Sequence, residues 1–124
     1  DEVFKVWGTG KPLREFLFVE DLSDACIYFM NKKTNSSLIN IGTGKDYTIK
    51  EIAKIALNVL NVNCKIIFDN RKIDGTPRKV LDVSLAKDLG WKSKISLKNG
   101  ILKTYNYYVN LQKWSDWYHN NYRR

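Results

Sequence analysis

The amino-acid sequence predicts a small mixed α/β domain. Two segments carry apolar residues at the spacing of one helix face, and β-rich runs of strand length alternate with them. The 124 residues, 44% of them hydrophobic, suffice for one core and one domain over residues 1–124. The predicted order of elements is strand, strand, helix, strand, helix, strand, helix, helix, which is typical of an α/β arrangement.

The first part of the chain supplies two strands and a helix. Residues 3–7 and 16–19 are the predicted strands, and the glycine- and proline-containing segment 8–12 between them is a predicted turn. Apolar residues then recur at helical spacing over residues 22–30, with Asp21 placed as the N-cap.

The middle of the chain repeats this alternation. Residues 38–41 are a predicted short strand, and Thr48 to Glu51 form a capping box that opens the second helix. Residues 65–68 are the next predicted strand. The polar segment 69–79 is a predicted loop of about ten residues, a length that usually indicates function or mobility.

Two helices complete the prediction. A short helix covers residues 84–89 and is ended by Gly90, and a long helix begins at Ser96. Gly100 weakens that last helix by up to ~1 kcal/mol relative to alanine.

The cysteines and the single histidine do not form a metal-binding pattern. Cys26 and Cys64 are far apart, lie among apolar residues and are not part of a CxxC pair. We therefore expect buried, reduced thiols in a cytosolic protein. His119 lies in a polar segment and is predicted to be a surface residue.

The charge of the chain indicates an anionic partner. Lys and Arg number 21 against 13 Asp and Glu, a net charge of +8. The partner could be nucleic acid, an acidic membrane face or a phosphorylated small molecule, or the basic residues could simply solvate the surface. No apolar run is long enough to cross a membrane. The most basic window, residues 65–79, has Phe68 as its only aromatic residue, too few for stacking on single strands.

The known catalytic and cofactor motifs are not met. Gly42-Thr43-Gly44 stands where a dinucleotide-binding loop would begin, but Tyr47 occupies the position of the third glycine. No general-acid pair, triad or activated nucleophile emerges from the spacing. A chain of this kind is more suited to binding than to catalysis.

Several residues are suited to a flat, anionic ligand such as a nucleotide diphosphate. Arg14, Arg78 and Lys79 offer cations for phosphates, and Asp74 offers a carboxylate for a hydroxyl or a base N–H. Trp7 offers a ring face for packing.

These residues lie within a longer pattern. Trp7 to Leu22 is similar to the stretch W-G-x-G-x-P-x-R-E-F-x-x-V-x-D of the GDP-L-fucose synthases, which are extended short-chain dehydrogenases/reductases of the NAD-dependent epimerase/dehydratase superfamily. Segments 40–51, 68–83 and 89–101 resemble the next parts of that family, in order, so that the resemblance spans roughly residues 3–110. The segments at 7–22 and 68–83 are the specific ones.

The resemblance implies a fold and a function. It implies the small substrate-binding C-terminal part of a Rossmann-type enzyme whose Rossmann half is missing here, so that the fragment alone is expected to be inactive. The family converts GDP-4-keto-6-deoxymannose to GDP-L-fucose by two epimerisations and a reduction with NADPH. The NADP-binding loop has no counterpart in this chain. The parent enzyme is expected to be a cytoplasmic homodimer. Another GDP-deoxysugar epimerase or reductase, or a basic nucleic-acid-binding module, remains an alternative.

The resemblance also implies site residues. Trp7 and Arg14 match substrate-contacting positions, with Arg14 on the diphosphate, and Asp74 and Lys79 match the loop that closes on the GDP portion. Each residue has a structural alternative: Trp7 could belong to the core, Arg14 to a surface ion pair and Asp74 to a turn, and Arg78 and Lys79 could be a solvated pair. Lys79 is favoured over Arg78.

Overall fold

The fold is a mixed arrangement of short strands and four helices. The computed structural model describes residues 2–122, and the side chains of residues 2–116. Along this part of the chain the elements are β1 (Val3–Trp7), β2 (Leu13–Glu15), α1 (Val19–Met30), β3 (Asp46–Thr48), α2 (Ile49–Val59), β4 (Lys65–Asp69), β5 (Arg78–Lys79), α3 (Ser84–Asp88) and α4 (Leu97–Tyr122). Within the described residues, no helix combines the length and the apolar character needed to span a membrane.

The strands form two small sheets. β1 and β4 are parallel, with Val3 opposite Lys65 and Trp7 opposite Asp69. In the second sheet β2 lies between β3, to which it is antiparallel, and β5, to which it is parallel. The predicted class, a small mixed α/β unit, is confirmed.

Two predicted strands are wrong. Residues 16–18 are irregular and Val19 already belongs to α1, whereas residues 38–41 form no strand. Leu17, Ile39 and Ile41 instead pack against the core cluster. These runs are apolar because they are partly buried, and their burial does not require a paired strand. β2 ends immediately before the first of these runs, and β3 begins at Asp46, five residues after the end of the second.

Asp21 does not cap α1, which is a further correction. The N-cap is Phe18, and it makes no side-chain capping bond. Asp21 is buried inside the first turn, and its carboxylate accepts hydrogen bonds from the backbone N–H groups of Lys94 (3.0 Å) and Ile95 (2.9 Å). The side chain therefore holds the segment before α4 against α1.

The other helix ends agree with the sequence. Thr48 and Glu51 form the predicted capping box at α2. Ser96 accepts a hydrogen bond from the Asn99 N–H at 3.3 Å, as an N-cap of α4 would. Gly90 follows α3 with φ +98°, a conformation that favours glycine.

The core is small and lies between α1, α3 and the segment that follows α3. Ala25, Ala86 and Trp91 are its buried members. Trp91 donates its indole N–H to Asp24 at 2.9 Å. Cys26 is exposed and Cys64 half-buried, so the expectation that both thiols are buried is wrong. Cys26 follows the fully buried Ala25 on α1 and lies about 100° further round the helix, beyond the face that packs on the core. The prediction for His119 concerns a side chain outside the described ones.

Candidate ligand-binding site

Two loops leave the same edge of the β1–β4 sheet. Because these strands are parallel and Trp7 lies opposite Asp69, both carboxyl ends are at this edge. The loop 8–12 follows β1 and the loop 70–77 follows β4. Ligands of open α/β sheets bind beyond the carboxyl ends of parallel strands. Of the predicted site residues, Trp7 is the last residue of β1 and Asp74 lies on the second loop, whereas Arg14 and Lys79 lie on the neighbouring strands β2 and β5.

Asp69 fixes the start of the second loop. Its side chain is 6% exposed and accepts two hydrogen bonds from the Arg71 guanidinium, at 2.8 and 2.9 Å. The ammonium of Lys5 lies 3.3 Å away. Hydrogen bonding to Arg71, and secondarily to Lys5, holds the pKa of this carboxyl well below its usual range. Asp69 is therefore ionised at neutral pH and anchors the loop.

Asp74 joins the two loops. One carboxylate oxygen accepts from the Thr9 N–H at 2.8 Å and the other from the Thr9 hydroxyl at 2.5 Å. These bonds, the hydroxyl's first, lower the pKa of Asp74. Gly8 has φ +81°, and a Cβ there would overlap the Asp74 carboxylate. Gly8 is thus required both for the turn and for the close approach of Asp74.

Trp7 lies at the surface. Its side chain is 70% exposed, so it does not belong to the core. The ammonium of Lys72 lies 5.2 Å from the centre of the Trp7 ring, which is within cation–π distance. An exposed ring beside a cation is suited to packing against an anionic ligand.

Arg14 and Lys79 are neighbours on adjacent strands. They face each other in the parallel pairing of β2 with β5. Arg14 is half-buried and donates one bond, from Nη1 to the Leu13 carbonyl at 2.7 Å. Its Nη2 lies beside Gly75, 3.2 Å from where a Cβ would stand. Among the described side chains neither Arg14 nor Lys79 forms an ion pair within 4 Å, so Arg14 is not the surface ion pair considered as an alternative.

Arg78 has a different role from Lys79. Its guanidinium binds Asp46 of β3, and these hydrogen bonds lower the pKa of Asp46 and raise that of Arg78. The Arg78 charge is thus neutralised within the second sheet. The free cation of this pair is Lys79.

Glu15 is a structural residue that the sequence reasoning missed. One of its oxygens accepts from the N–H groups of Thr43 and Gly44, both at 2.6 Å, and from the Thr43 hydroxyl at 3.1 Å. The other oxygen accepts from the Leu81 N–H at 2.9 Å. An acidic residue inside the run Arg14-Glu15-Phe16 was the available signal, because an acid in a strand needs a partner.

The same contacts explain why Gly42-Thr43-Gly44 is not a dinucleotide loop. A phosphate would require the amides that Glu15 already occupies, and a Cβ on Gly42 would lie 2.6 Å from the Glu15 carboxylate. The turn therefore does not fit the NADP phosphates. Within the described part of the chain, no group of three or more His, Cys, Asp or Glu side chains is placed to hold a metal ion.

The space between the two loops is small. A cavity of about 140 Å³ is lined by Lys11, Pro12, Asp74, Gly75 and Pro77. Ligand pockets usually measure roughly 300–1,000 Å³. These residues therefore form one wall of a site rather than an enclosed pocket.

Comparison with known proteins shows which class this chain is similar to. A family model described as the NAD dependent epimerase/dehydratase family matches residues 1–42. A structure of a GDP-mannoheptose C4 reductase from Campylobacter jejuni with NADP bound superimposes with a TM-score of 0.75 and 38% identity, over 87% of this chain and 35% of that one. The chain is thus similar to proteins of the NAD dependent epimerase/dehydratase family over its first 42 residues and to a GDP-sugar reductase over most of its length.

The chain is also similar to GDP-L-fucose synthases. It is 48% identical over 109 residues to a putative GDP-L-fucose synthase 2 of Arabidopsis thaliana, covering 88% of this chain and 33% of that protein. It is 42% identical over 116 residues to the GDP-L-fucose synthase of Escherichia coli K12, covering 86% and 36%. The chain spans about a third of the length of the curated relatives it matches.

Proposed function

We propose that residues 1–124 are the GDP-sugar-binding, C-terminal part of a GDP-L-fucose synthase. In the whole enzyme, GDP-4-keto-6-deoxymannose is epimerised at two carbons and reduced with NADPH. We place no catalytic residue in this chain and expect it to be inactive alone. NADPH supplies the hydride, and its binding residues lie outside this segment. Under this proposal the enzyme is a cytoplasmic homodimer, as the resemblance implies.

The unpaired guanidinium of Arg14 carries the proposal. A half-buried cation without a carboxylate partner is unfavourable unless a ligand or water supplies the missing interactions. Arg14 has four N–H donors left after its bond to Leu13, and Lys79 brings a second positive charge from the next strand. A diphosphate offers the acceptors that this pair lacks.

Trp7 and Asp74 complete the proposed site in different ways. The exposed ring of Trp7 supplies a packing face at the edge where the loops meet. Both oxygens of Asp74 accept from Thr9, so we assign Asp74 first to holding the loop in place, with its remaining lone pairs available to the GDP portion.

The choice of GDP as the recognised part has support from the relatives. Proteins named for fucose and for mannoheptose both match this segment, at 48% and 38% identity. Their names differ in the sugar and share the GDP. A segment similar to both is suited to binding the shared moiety. The identity of the sugar, and with it the alternative of another GDP-deoxysugar enzyme, would be decided by residues elsewhere.

Calorimetric titration of the chain with GDP tests the proposal. We expect binding, weakened about tenfold in Arg14→Ala and in Lys79→Ala, since a hydrogen bond to a charged group contributes about 1.5 kcal/mol or more. Lys50→Ala, which removes an exposed cation from α2, is the matched control and should leave the affinity unchanged.

A parallel titration with short RNA separates the nucleic-acid alternative. Tight RNA binding with a steep salt dependence, together with indifference to GDP, would show that the surplus charge serves nucleic acid. Equal GDP affinity in the wild type and in Arg14→Ala would refute the assignment of Arg14. Far-UV circular dichroism of each variant verifies that the fold is retained.

A further inference from the structure

We propose a second anion-binding site, for a small molecule bearing phosphate or pyrophosphate, in a lysine-lined cavity separate from the GDP-sugar residues. The cavity measures about 360 Å³ and lies between the turn before β3 and the segment that joins α3 to α4. Its chemistry-bearing lining residues are Phe16, Lys45, Tyr47, Lys87, Lys92 and Ser93. Trp7, Arg14, Asp74 and Lys79 do not line it, and the inference does not rest on the proposed function.

The charge of this cavity is positive and largely unbalanced. Four lysines line it, and no Asp or Glu does. Lys94 is neutralised by Asp24, at 3.1 Å. Among the described side chains, the ion pairs within 4 Å include none formed by the other three lysines, Lys45, Lys87 and Lys92. Lys87 forms no ion pair with Asp82, although its positive charge helps to lower the pKa of Asp82 at longer range.

The backbone that carries these lysines is held in place. Lys45 follows Gly44, whose N–H is bound by Glu15 at 2.6 Å. Lys92 lies two residues before Lys94, whose N–H is bound by the buried Asp21. Lys87 is on α3, and its ammonium lies 3.7 Å from where a Cβ on Gly44 would stand. Three lysines thus line one cavity from three segments whose backbone is held, and their exposed side chains are ordered only when a ligand binds.

The other lining residues indicate the size and class of the ligand. A cavity of this volume is within the range of small-molecule pockets. Lysine binds phosphate as a point charge, so a cluster of three suits a doubly or triply charged group. Tyr47 is half-buried and Phe16 half-exposed, which provides an apolar side for the body of a phosphorylated molecule. Ser93 adds a hydroxyl donor.

Titration of the isotope-labelled chain with inorganic pyrophosphate, followed residue by residue by NMR, tests this site. We expect saturable shifts of the backbone amides of Lys45 and Ser93. Lys92→Gln and Lys45→Gln should each weaken the affinity read at these amides about tenfold. The amides of Gly75 and Lys79 report separately on the first site, so failure of one site is distinguishable from failure of the other.

Two further variants make the result decisive. Ser93→Asp places a negative charge in the cavity lining and should abolish the saturable shifts at Lys45. Lys50→Gln, on the exposed side of α2, should change nothing. Absence of shifts at Lys45 and Ser93 in a folded sample, or equal affinity in the wild type, Lys92→Gln and Ser93→Asp, overturns the proposal.

Discussion

Replacing Glu15 by glutamine should destabilise the chain by about 3 kcal/mol, although the two side chains have nearly the same shape. The carboxylate accepts four hydrogen bonds and thereby connects β2 to the Thr43–Gly44 turn and to Leu81 beyond β5. All four partner groups, three backbone N–H groups and one hydroxyl, donate to the carboxylate. A carboxamide has a single accepting oxygen, whereas the carboxylate has two.

The magnitude follows from the bonds. If the amide oxygen faces Thr43 and Gly44, those two backbone bonds lose their charge and weaken by about 1 kcal/mol each. The amide nitrogen then faces the Leu81 N–H, and the loss of that bond costs about 1 kcal/mol more. The alternative orientation of the amide turns the nitrogen toward three donors and is worse.

Thermal unfolding followed by circular dichroism measures this effect. For 124 residues, a loss of 3 kcal/mol corresponds to a fall in Tm of about 10 °C. Glu20→Gln is the control, because Glu20 forms an exposed ion pair with Lys103 and should change stability by less than about 0.5 kcal/mol. A fall in Tm for Glu15→Gln no larger than that of Glu20→Gln would refute the reasoning.

Two further predictions concern the loops around the site. Gly8→Ala should destabilise the chain by about 3 kcal/mol in urea unfolding, because φ is +81° and the new methyl group overlaps the Asp74 carboxylate. Gly100→Ala is the control: its methyl group would contact Phe18 at 3.4 Å inside α4, and the substitution should stabilise the chain by about 0.5 kcal/mol. Similar changes in the free energy of unfolding for both variants would contradict this account. The pKa of Asp69 is lower in the folded than in the unfolded chain, so its contribution is complete above about pH 4 and is lost as the pH falls further. Tm measured from pH 7 to pH 3 should therefore fall at the acid end, less steeply in Asp69→Asn, and equal acid slopes would show that the Arg71 contact does not stabilise the fold.

The parts of the fold that the sequence predicted are those decided locally. The α2 capping box needs only Thr48 and Glu51, three residues apart, and the structure has both of its bonds. The strands β1 and β4 each have five residues, most of them of types that favour strands. Their bounds agree with the prediction to within one residue. Such elements are determined by residues close in sequence, so they can be predicted from a single sequence.

The wrong predictions concern residues whose structure is determined by contacts with residues distant in sequence. Asp21 has the composition and position of an N-cap, but the amides before α4, more than 70 residues away, are its partners. The run 38–41 has strand composition but is apolar because Ile39 and Ile41 pack on the core. The role of Glu15 likewise depends on a turn and a strand end that are remote in sequence. Periodicity cannot report such partners.

The distribution of charge connects the fold to both proposed sites. Glu15, Asp21 and Asp74 accept from backbone amides instead of pairing with cations. Neighbouring side chains of a strand point to opposite faces, so the Glu15 carboxylate cannot neutralise Arg14, although they are adjacent in sequence. The fold thus uses acidic side chains to hold loops, and among the described side chains Arg14, Lys79 and the three cavity lysines form no ion pair within 4 Å. Part of the net charge of +8 is therefore concentrated at two places, at Arg14 and Lys79 and at the three lysines of the second cavity.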